Sequence, residues 1–404
     1  MKGETVRVIE ISNLEHSAKE LVKIGVNYNS AAKLSEGFIS RVLKISGIDV
    51  REINIIRAEA LRVGMSSVVS DDTLLLTAAK GELLICGTLM QYEMLIRNLG
   101  GAILNCPEIA IKIKKSLYNY GEDNFERVIR GKTFNFGEKS YVMGILNITE
   151  DSFSDGGRYI NPEKAIERAL KMVEDGADIL DIGAESTRPG AQPVSEEEEI
   201  ERILPVVEKI SKIVNVPISI DTYKAAVAKS ALNAGADIIN DITGLKGDGA
   251  MAEVIADSDA YAVIMHMQGT PQTMQLNPVY QEVISDICGD LKESLAIAEI
   301  AGIKHEKIII DPGIGVGKTT QHNLEIIERL SEFKVMGCPI LMGASRKSLI
   351  GNVLKLPVEE RVEGSLAIAA VSAMKGASII RVHDIKETKR VLAMVDAIKN
   401  SIKE

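Results

Sequence analysis

The sequence predicts an α/β protein, a (β/α)8 barrel preceded by a smaller α/β domain, and three observations predict it. Eight apolar stretches of strand length recur between residues 141 and 384, each followed by a segment of helical apolar spacing. Eight such repeats in about 250 residues have the size and rhythm of a barrel of this type. Every stretch also runs from apolar residues into polar or ionisable ones at its C-terminal end, the end at which such barrels carry their sites.

In chain order the strands are expected at 141–148, 178–183, 217–221, 237–242, 261–267, 307–311, 339–343 and 378–383. YVMGILN ends on Asn147, ADILDIGAESTR on Arg188, VPISID on Asp221, and DIINDI carries Asn240 and Asp241. YAVIMHM brings His266, KIIIDPG brings Asp311, CPILMGASRKS brings Arg346 and Lys347, and ASIIRVHD brings Arg381, His383 and Asp384. Helical spacing is read over 161–174, 196–214, 224–234, 279–301, 320–333, 358–374 and 386–402.

Residues 1–133 read as a small α/β domain and 134–404 as the barrel. The first part shows a strand-like VRVIEI, helical patterns over 36–45 and 50–63, strands in SSVVS and GELLICG, and the helix LMQYEMLIRNLG. It has no cluster of polar residues at strand ends, and His16 reads as a surface helix residue, so no chemistry is assigned to it. The polar, glycine-bearing GEDNFERVIRGKTFNFGEKS connects the two parts, with FNFG as a hairpin strand closing the bottom of the barrel.

Composition narrows the function classes. At 46% hydrophobic and 26% charged residues the 404-residue chain is an ordinary globular protein. A formal charge of −10, with no basic run carrying aromatics, argues against a nucleic-acid partner. Cys86, Cys106, Cys288 and Cys338 are scattered without CxxC spacing, which favours free thiols over a disulfide or zinc site. The N-terminus lacks the apolar core of a signal peptide and no apolar run reaches the about 20 residues of a membrane span. The expectation is a cytoplasmic protein with no membrane partner.

A closed barrel brings all strand ends to one mouth, so Asn147, Arg188, Asp221, Asn240, Asp311, Lys347, Arg381 and His383 are expected to converge. Asp221, Asn240 and Asp311 suit a flat heterocycle with amidine-type N–H donors. Lys347, Arg381 and His383 suit an anionic substrate group such as a diphosphate. No Ser-His-Asp or Cys-His set accompanies them, which points to chemistry by positioning and electrostatics.

MGILNITEDSFSDGG (143–157), DIGAESTRPGA (181–191), SIDTYK (219–224), INDITG (239–244), MHMQGTPQTM (265–274), DPGIGVGKT (311–319), GASRKSLIG (343–351) and RVHDIKET (381–388) together resemble dihydropteroate synthase. The likeness covers the barrel in the family's order, and the N-terminal part resembles an extension that some members carry. It implies a homodimeric (β/α)8 enzyme that joins 6-hydroxymethyl-7,8-dihydropterin diphosphate to p-aminobenzoate with Mg2+, releasing diphosphate and dihydropteroate. By the same resemblance Asp221, Asn240, Asp311, Lys347 and Met265 would bind the pterin, with Asp221, Lys347 and Arg381 carrying the catalysis. Asn147 would meet Mg2+ and, with Arg381 and His383, the diphosphate. Thr187, Arg188, Pro189, Val316 and Ser348 would surround the arylamine, and 151–155 would belong to a loop closing over it. Losing diphosphate leaves a ring-delocalised cation that Asp221 and Asp311 can stabilise, so a dissociative substitution by the neutral amine follows.

Two departures stand out: Glu150 where the family usually has proline, and Val316 where it commonly has an aromatic. Val316 predicts weaker aminobenzoate binding or tolerance of a bulkier arylamine. Two rival functions share the barrel. A pterin-binding methyltransferase would lack the ESTRPG, SRKS and RVH segments, and a non-catalytic pterin-binding scaffold would be indifferent to loss of Lys347 or Arg381.

Other features have plain readings. GIGVGKTT is one residue short of a phosphate-binding P-loop and reads as a turn into a helix. SEEEEIERI reads as an acidic helix N-terminus. His322 reads as a surface or capping residue, and His305 as a solvated turn.

Overall fold

A computed structural model describes residues 6–122, 124–148, 161–185, 194–270 and 272–401. The chain divides into two compact units, Met1–Gly121 with Ser401–Glu404, and Glu122–Asn400. The division therefore falls before the connecting hairpin, and residues 122–133 go with the barrel instead of the N-terminal part.

The first unit is a three-stranded antiparallel sheet in the order β1 (Ser40–Asp49), β3 (Lys80–Thr88), β2 (Ser66–Val69). Helices Val50–Arg62, Leu89–Leu99 and Cys106–Gly121 close a core of Ile53, Ile56, Leu83, Ile85, Tyr92 and Leu95 on one sheet face. The second of these starts from a capping box in which Thr88 and Gln91 satisfy each other's backbone N–H groups.

Two sequence readings fail in this unit. Residues 36–45 are not helical: a 3-10 turn, Ser35–Phe38, leads into β1. Pairing with β3 puts Leu43 and Ile45 on the core side and leaves Val42 65% exposed, so a period of two wins over the helical spacing once a partner strand is present. VRVIEI forms no strand; Val6 and Val8 are fully exposed, because a strand without a neighbour leaves its backbone groups unpaired in the fold.

In the second unit β4 (Phe125–Ile129) and β5 (Lys132–Phe136) form a hairpin. Its two-residue turn, Arg130-Gly131, has both φ angles positive (50° and 68°), the backbone of a type I′ turn. Arg130 is held there by Asp237 at 2.9 Å and by the Ser211 carbonyl at 3.1 Å. Eight parallel strands follow and close into a barrel: β6 (Tyr141–Asn147), β7 (Ile179–Gly183), β8 (Ile218–Asp221), β9 (Ile238–Asp241), β10 (Tyr261–Met265), β11 (Ile308–Asp311), β12 (Ile340–Met342) and β13 (Ala377–Val382). All eight match the strands read from the sequence to within about two residues. The helical readings over 320–333 and 358–374 each break in two, giving Thr320–Glu328 with the 3-10 segment Leu330–Met336, and the 3-10 segment Val358–Glu360 with Val362–Met374.

Period-two alternation sorts the barrel into layers. Leu180, Ile182, Ile218, Ile220, Ile264, Ile308, Ile310 and Ile380 face the surrounding helices. Tyr141, Met143, Ile179, Ile238, Val263, Ile309, Leu341 and Ile379 point inward and pack with Ile129, Phe134 and Phe136 of the hairpin. FNFG thus does plug the bottom of the barrel, with the Phe134 and Tyr141 rings 4.7 Å apart. Two residues further along the same inward phase come Asp181, Asp221, Asn240, Asp311 and Arg381. The alternation that packs the floor therefore makes the mouth polar.

The described residues contain no helix long and apolar enough to cross a membrane, and all four cysteines are free. Phe134 is wholly buried in the plug, so Phe134→Ala should lower barrel stability by about 3–5 kcal/mol. In urea unfolding followed separately by probes in each unit, the barrel transition should move and that of the N-terminal unit should not; an unmoved barrel transition would contradict the plug.

Candidate active site

Arg381 organises the mouth. From β13 its Nε donates to Asp181 Oδ2 on β7 and its Nη2 to Asp221 Oδ2 on β8, both at 2.6 Å. Asp181, fully buried, also accepts from Ser219 Oγ at 2.6 Å and from Asn240 Nδ2 at 3.3 Å. One guanidinium thus connects four strands across the barrel. Asp311 lies at the same end: a Cβ placed on Gly343 would stand 3.9 Å from Asp311 Oδ2 and 3.8 Å from the Arg381 side chain. Asp311 itself accepts from the Gly313 N–H at 2.7 Å.

Burial in a nearly dry site disfavours the anionic form of a carboxyl group. Burial pushes the Asp221 carboxyl up to about 7, with Asp181 adding to the rise and Arg381 opposing it. Burial also raises Asp311, against the pull of Lys347. Lys347 is lowered to about 8 by burial, with Asp311 holding it up. Its ammonium donates to the Ile314 carbonyl, so it lies over the loop after β11. Arg381 is driven further up, its carboxylates outweighing its burial.

Of the other residues singled out in the sequence, Met265 ends β10, in register with Asp311, and is buried. Asn147 ends β6 half-buried, beside Gly183. His383 Nδ1 lies 3.0 Å from Ser345 Oγ, a contact joining β13 to the loop after β12. Ser348 opens the helix Ser348–Leu354, and Val316 is half-buried in the loop after β11. Thr187, Arg188, Pro189, Glu150 and 151–155 lie outside the described residues.

Two strand-end residues have local roles. Asp241 turns out of the barrel and accepts from the N–H groups of Thr243 and Leu245 at 2.7 and 2.9 Å, shaping its own loop. Arg346 makes a two-pronged ion pair with Asp384. Elsewhere Thr319 and His322 form a reciprocal cap on the helix Thr320–Glu328, and Ser195 caps the acidic helix Glu196–Ile210. His305 is exposed in the 3-10 turn His305–Lys307, as read, with its Nε2 3.1 Å from the Gly337 carbonyl oxygen.

Sequence reasoning passed over three participants. Asp181 was hidden by its strand, although a lone carboxylate inside ILDIG was a signal. Lys224 bonds Glu185, Glu199 (2.6 Å) and the Val194 carbonyl (2.9 Å), joining the segments that flank 186–193. Lys318 is buried against His266; it was set aside with the rejected phosphate loop.

The sequence profile of the family described as pterin binding enzyme matches residues 143–383. A dihydropteroate synthase from Clostridium beijerinckii is 49% identical over 271 residues, covering 67% of this chain and 98% of that protein. The solved structure of the Xanthomonas albilineans dihydropteroate synthase with 4-aminobenzoic acid is 38% identical, with a TM-score of 0.64, covering 68% of this chain and 98% of that one. A probable bifunctional folylpolyglutamate synthase/dihydropteroate synthase from Halobacterium salinarum is 37% identical over 96% of this chain and 47% of its own length, and so reaches into the N-terminal unit as well. With its arginine-bridged acids at the mouth of an eight-stranded barrel, the chain belongs to the dihydropteroate synthase family of pterin-binding enzymes.

Proposed function

We propose that the barrel condenses 6-hydroxymethyl-7,8-dihydropterin diphosphate with p-aminobenzoate or a related arylamine, releasing diphosphate and 7,8-dihydropteroate. The observation that carries this reading is the convergence of Asp181, Asp221, Asn240 and Asp311 with Arg381 at one end of the barrel. Asp221, Asn240 and Asp311 supply acceptors for the N–H edge of a pterin, with Met265 walling one side. Lys347 lies within electrostatic reach of both acids, where it can face the ring and the charge developing beside it. Asp221 and Asp311 favour the cation left on the ring as the leaving group departs, and Arg381 with His383 faces the departing anion. The amine attacks that cation directly; positioning replaces a nucleophilic side chain.

The described residues hold no group of three His, Cys, Asp or Glu side chains able to bind a metal. The Asn147 amide at the end of β6 offers one oxygen, which fits an Mg2+ that takes most of its ligands from water and substrate phosphates. Bound there, the ion would neutralise charge on the diphosphate.

A homodimer is part of the proposal. The helix Val362–Met374, VEGSLAIAAVSAM, is apolar on nearly every face, yet Val371 is 40% and Met374 52% exposed. Such a helix calls for cover, and a second copy of the chain would supply it.

Diphosphate release that requires both the pterin diphosphate and the arylamine tests the reaction; no release would leave the methyltransferase or scaffold reading. Lys347→Ala should cut that release by about a hundredfold or more, as loss of a preorganised charge does, and an unimpaired variant would remove Lys347 from the mechanism. A comparison of plain aminobenzoate with bulkier arylamines reports on Val316.

The pH profile has a defined sign. As pH rises through about 7, Asp221 loses its proton and becomes the acceptor that the pterin edge needs; above about 8, Lys347 loses its charge. The kcat/KM for the pterin diphosphate should therefore describe a narrow bell between those limits, and a flat profile across them would contradict the assignment. For the oligomer, sedimentation equilibrium should show a dimer that Val371→Glu with Met374→Glu converts to monomer; a monomeric parent chain would dispose of that interface.

A further inference from the structure

The loop after β11 is held by its carbonyl groups. Four consecutive oxygens, those of Ile314, Gly315, Val316 and Gly317, each accept from a side chain: Lys347 Nζ, Gln275 Nε2 at 3.0 Å, Lys318 Nζ at 2.9 Å and Tyr280 Oη at 2.8 Å. The Gly315 N–H is taken by Asn323 Oδ1 at 2.7 Å. Gly313, Gly315 and Gly317 all have positive φ (72°, 75° and 61°), and a Cβ on Gly313 would come within 2.0 Å of the His266 carbonyl oxygen. Glycine is the residue that tolerates both demands.

Within this set Lys318 is the unusual member. It is 3% exposed, and its ammonium has no carboxylate partner among the described residues. Its three acceptors are His266 Nδ1 at 2.9 Å, the Val316 carbonyl at 2.9 Å and the His266 carbonyl at 3.4 Å. Three N–H donors meet three acceptors, two of them at the end of β10 and one in the loop. The acceptor role of Nδ1 places the imidazole proton on Nε2; His266 is buried and held neutral, its pKa lowered to about 2 first by burial and then by Lys318. Burial lowers the Lys318 amine to about 7, against the pull of Asp311, so its protonated form is costly to keep there, and fastening the end of β10 to the loop after β11 is what that cost maintains.

We propose that Lys318 is a positioning residue whose ammonium fastens the loop after β11 to the end of β10 and thereby sets where Val316 stands in the mouth. Its effect on turnover rests on the synthase reading above, in which Val316 borders the arylamine; its effect on Val316 itself does not.

The test uses the full chain with Lys318→Met and Lys318→Gln, the second retaining an N–H donor without the charge. Lys318→Met should raise the KM for the arylamine by about tenfold or more, the scale of one lost hydrogen bond to a charged group, while Lys318→Gln should stay within about threefold of the parent by the same reckoning. Methyl NMR of Val316 in the free protein should show displaced resonances in Lys318→Met and near-parent resonances in Lys318→Gln. Unmoved Val316 resonances in both variants overturn the inference, and so does equal impairment of both variants, which would mean that charge and not the tie is what counts. Should Lys318→Met fail to fold, displaced Val316 resonances in Lys318→Gln alone would also overturn it. A parent chain with no turnover but the expected NMR pattern would instead fail the synthase reading and leave the positioning role standing.

Discussion

The guanidinium of Arg381 between Asp181 and Asp221 is the contact on which the mouth of the barrel depends. It joins β13 to β7 and β8 through 2.6 Å bonds, and Asp181 carries the connection on to Ser219 and Asn240. Buried charges of this kind add little net stability, but breaking such a pair costs about 3–5 kcal/mol because the survivor is stranded. The gain is a fixed arrangement of acceptors. Asp221 is held at a strand end where it can serve both the arginine and a bound ring, and burial, with Asp181 adding to it, is what pushes its carboxyl up to about 7.

Around that cluster described loop segments are tied by side chains that reach for backbone. Lys347 and Lys318 hold the loop after β11, Lys224 holds the Val194 carbonyl, and Ser345 ties the loop after β12 to His383. Lysines beside the proposed pterin position thus act on architecture as well as charge. This is why the pKa values of Lys318 and Lys347, lowered by burial to about 7 and about 8, bear on loop geometry and on electrostatics together.

The floor of the barrel obeys a different rule. Phe134 and Phe136 of the hairpin and Tyr141 of β6 fill it with aromatic contacts, and Arg130 fastens the hairpin turn to Asp237. Among the described residues this apolar layer is continuous from the hairpin into the strands. In the N-terminal unit the sheet buries one face only, under its three long helices, and the other carries Val42, Val68 and Leu84 exposed.

The eight strands, their polar ends and the residues Asp221, Asn240, Asp311, Lys347 and Arg381 were all readable in the chain, because period-two apolar patterning and the change to polar residues are local properties. What patterning could not reveal was pairing. Asp181 sits inside an apolar strand, and only closure of the barrel shows that it points at Arg381 two hundred residues away. Residues 36–45 carry a spacing that suits a helix in isolation, and pairing with β3 turns those from Ser40 onward into a strand. Lys318 stands in a motif that resembles a phosphate loop, and its attachment to His266 appears only when β10 and β11 lie side by side. Local sequence thus specifies which elements form and which ends are polar. The counter-charge each buried group meets is decided by tertiary closure, because the partners come from distant segments whose inward phases coincide only in the closed barrel.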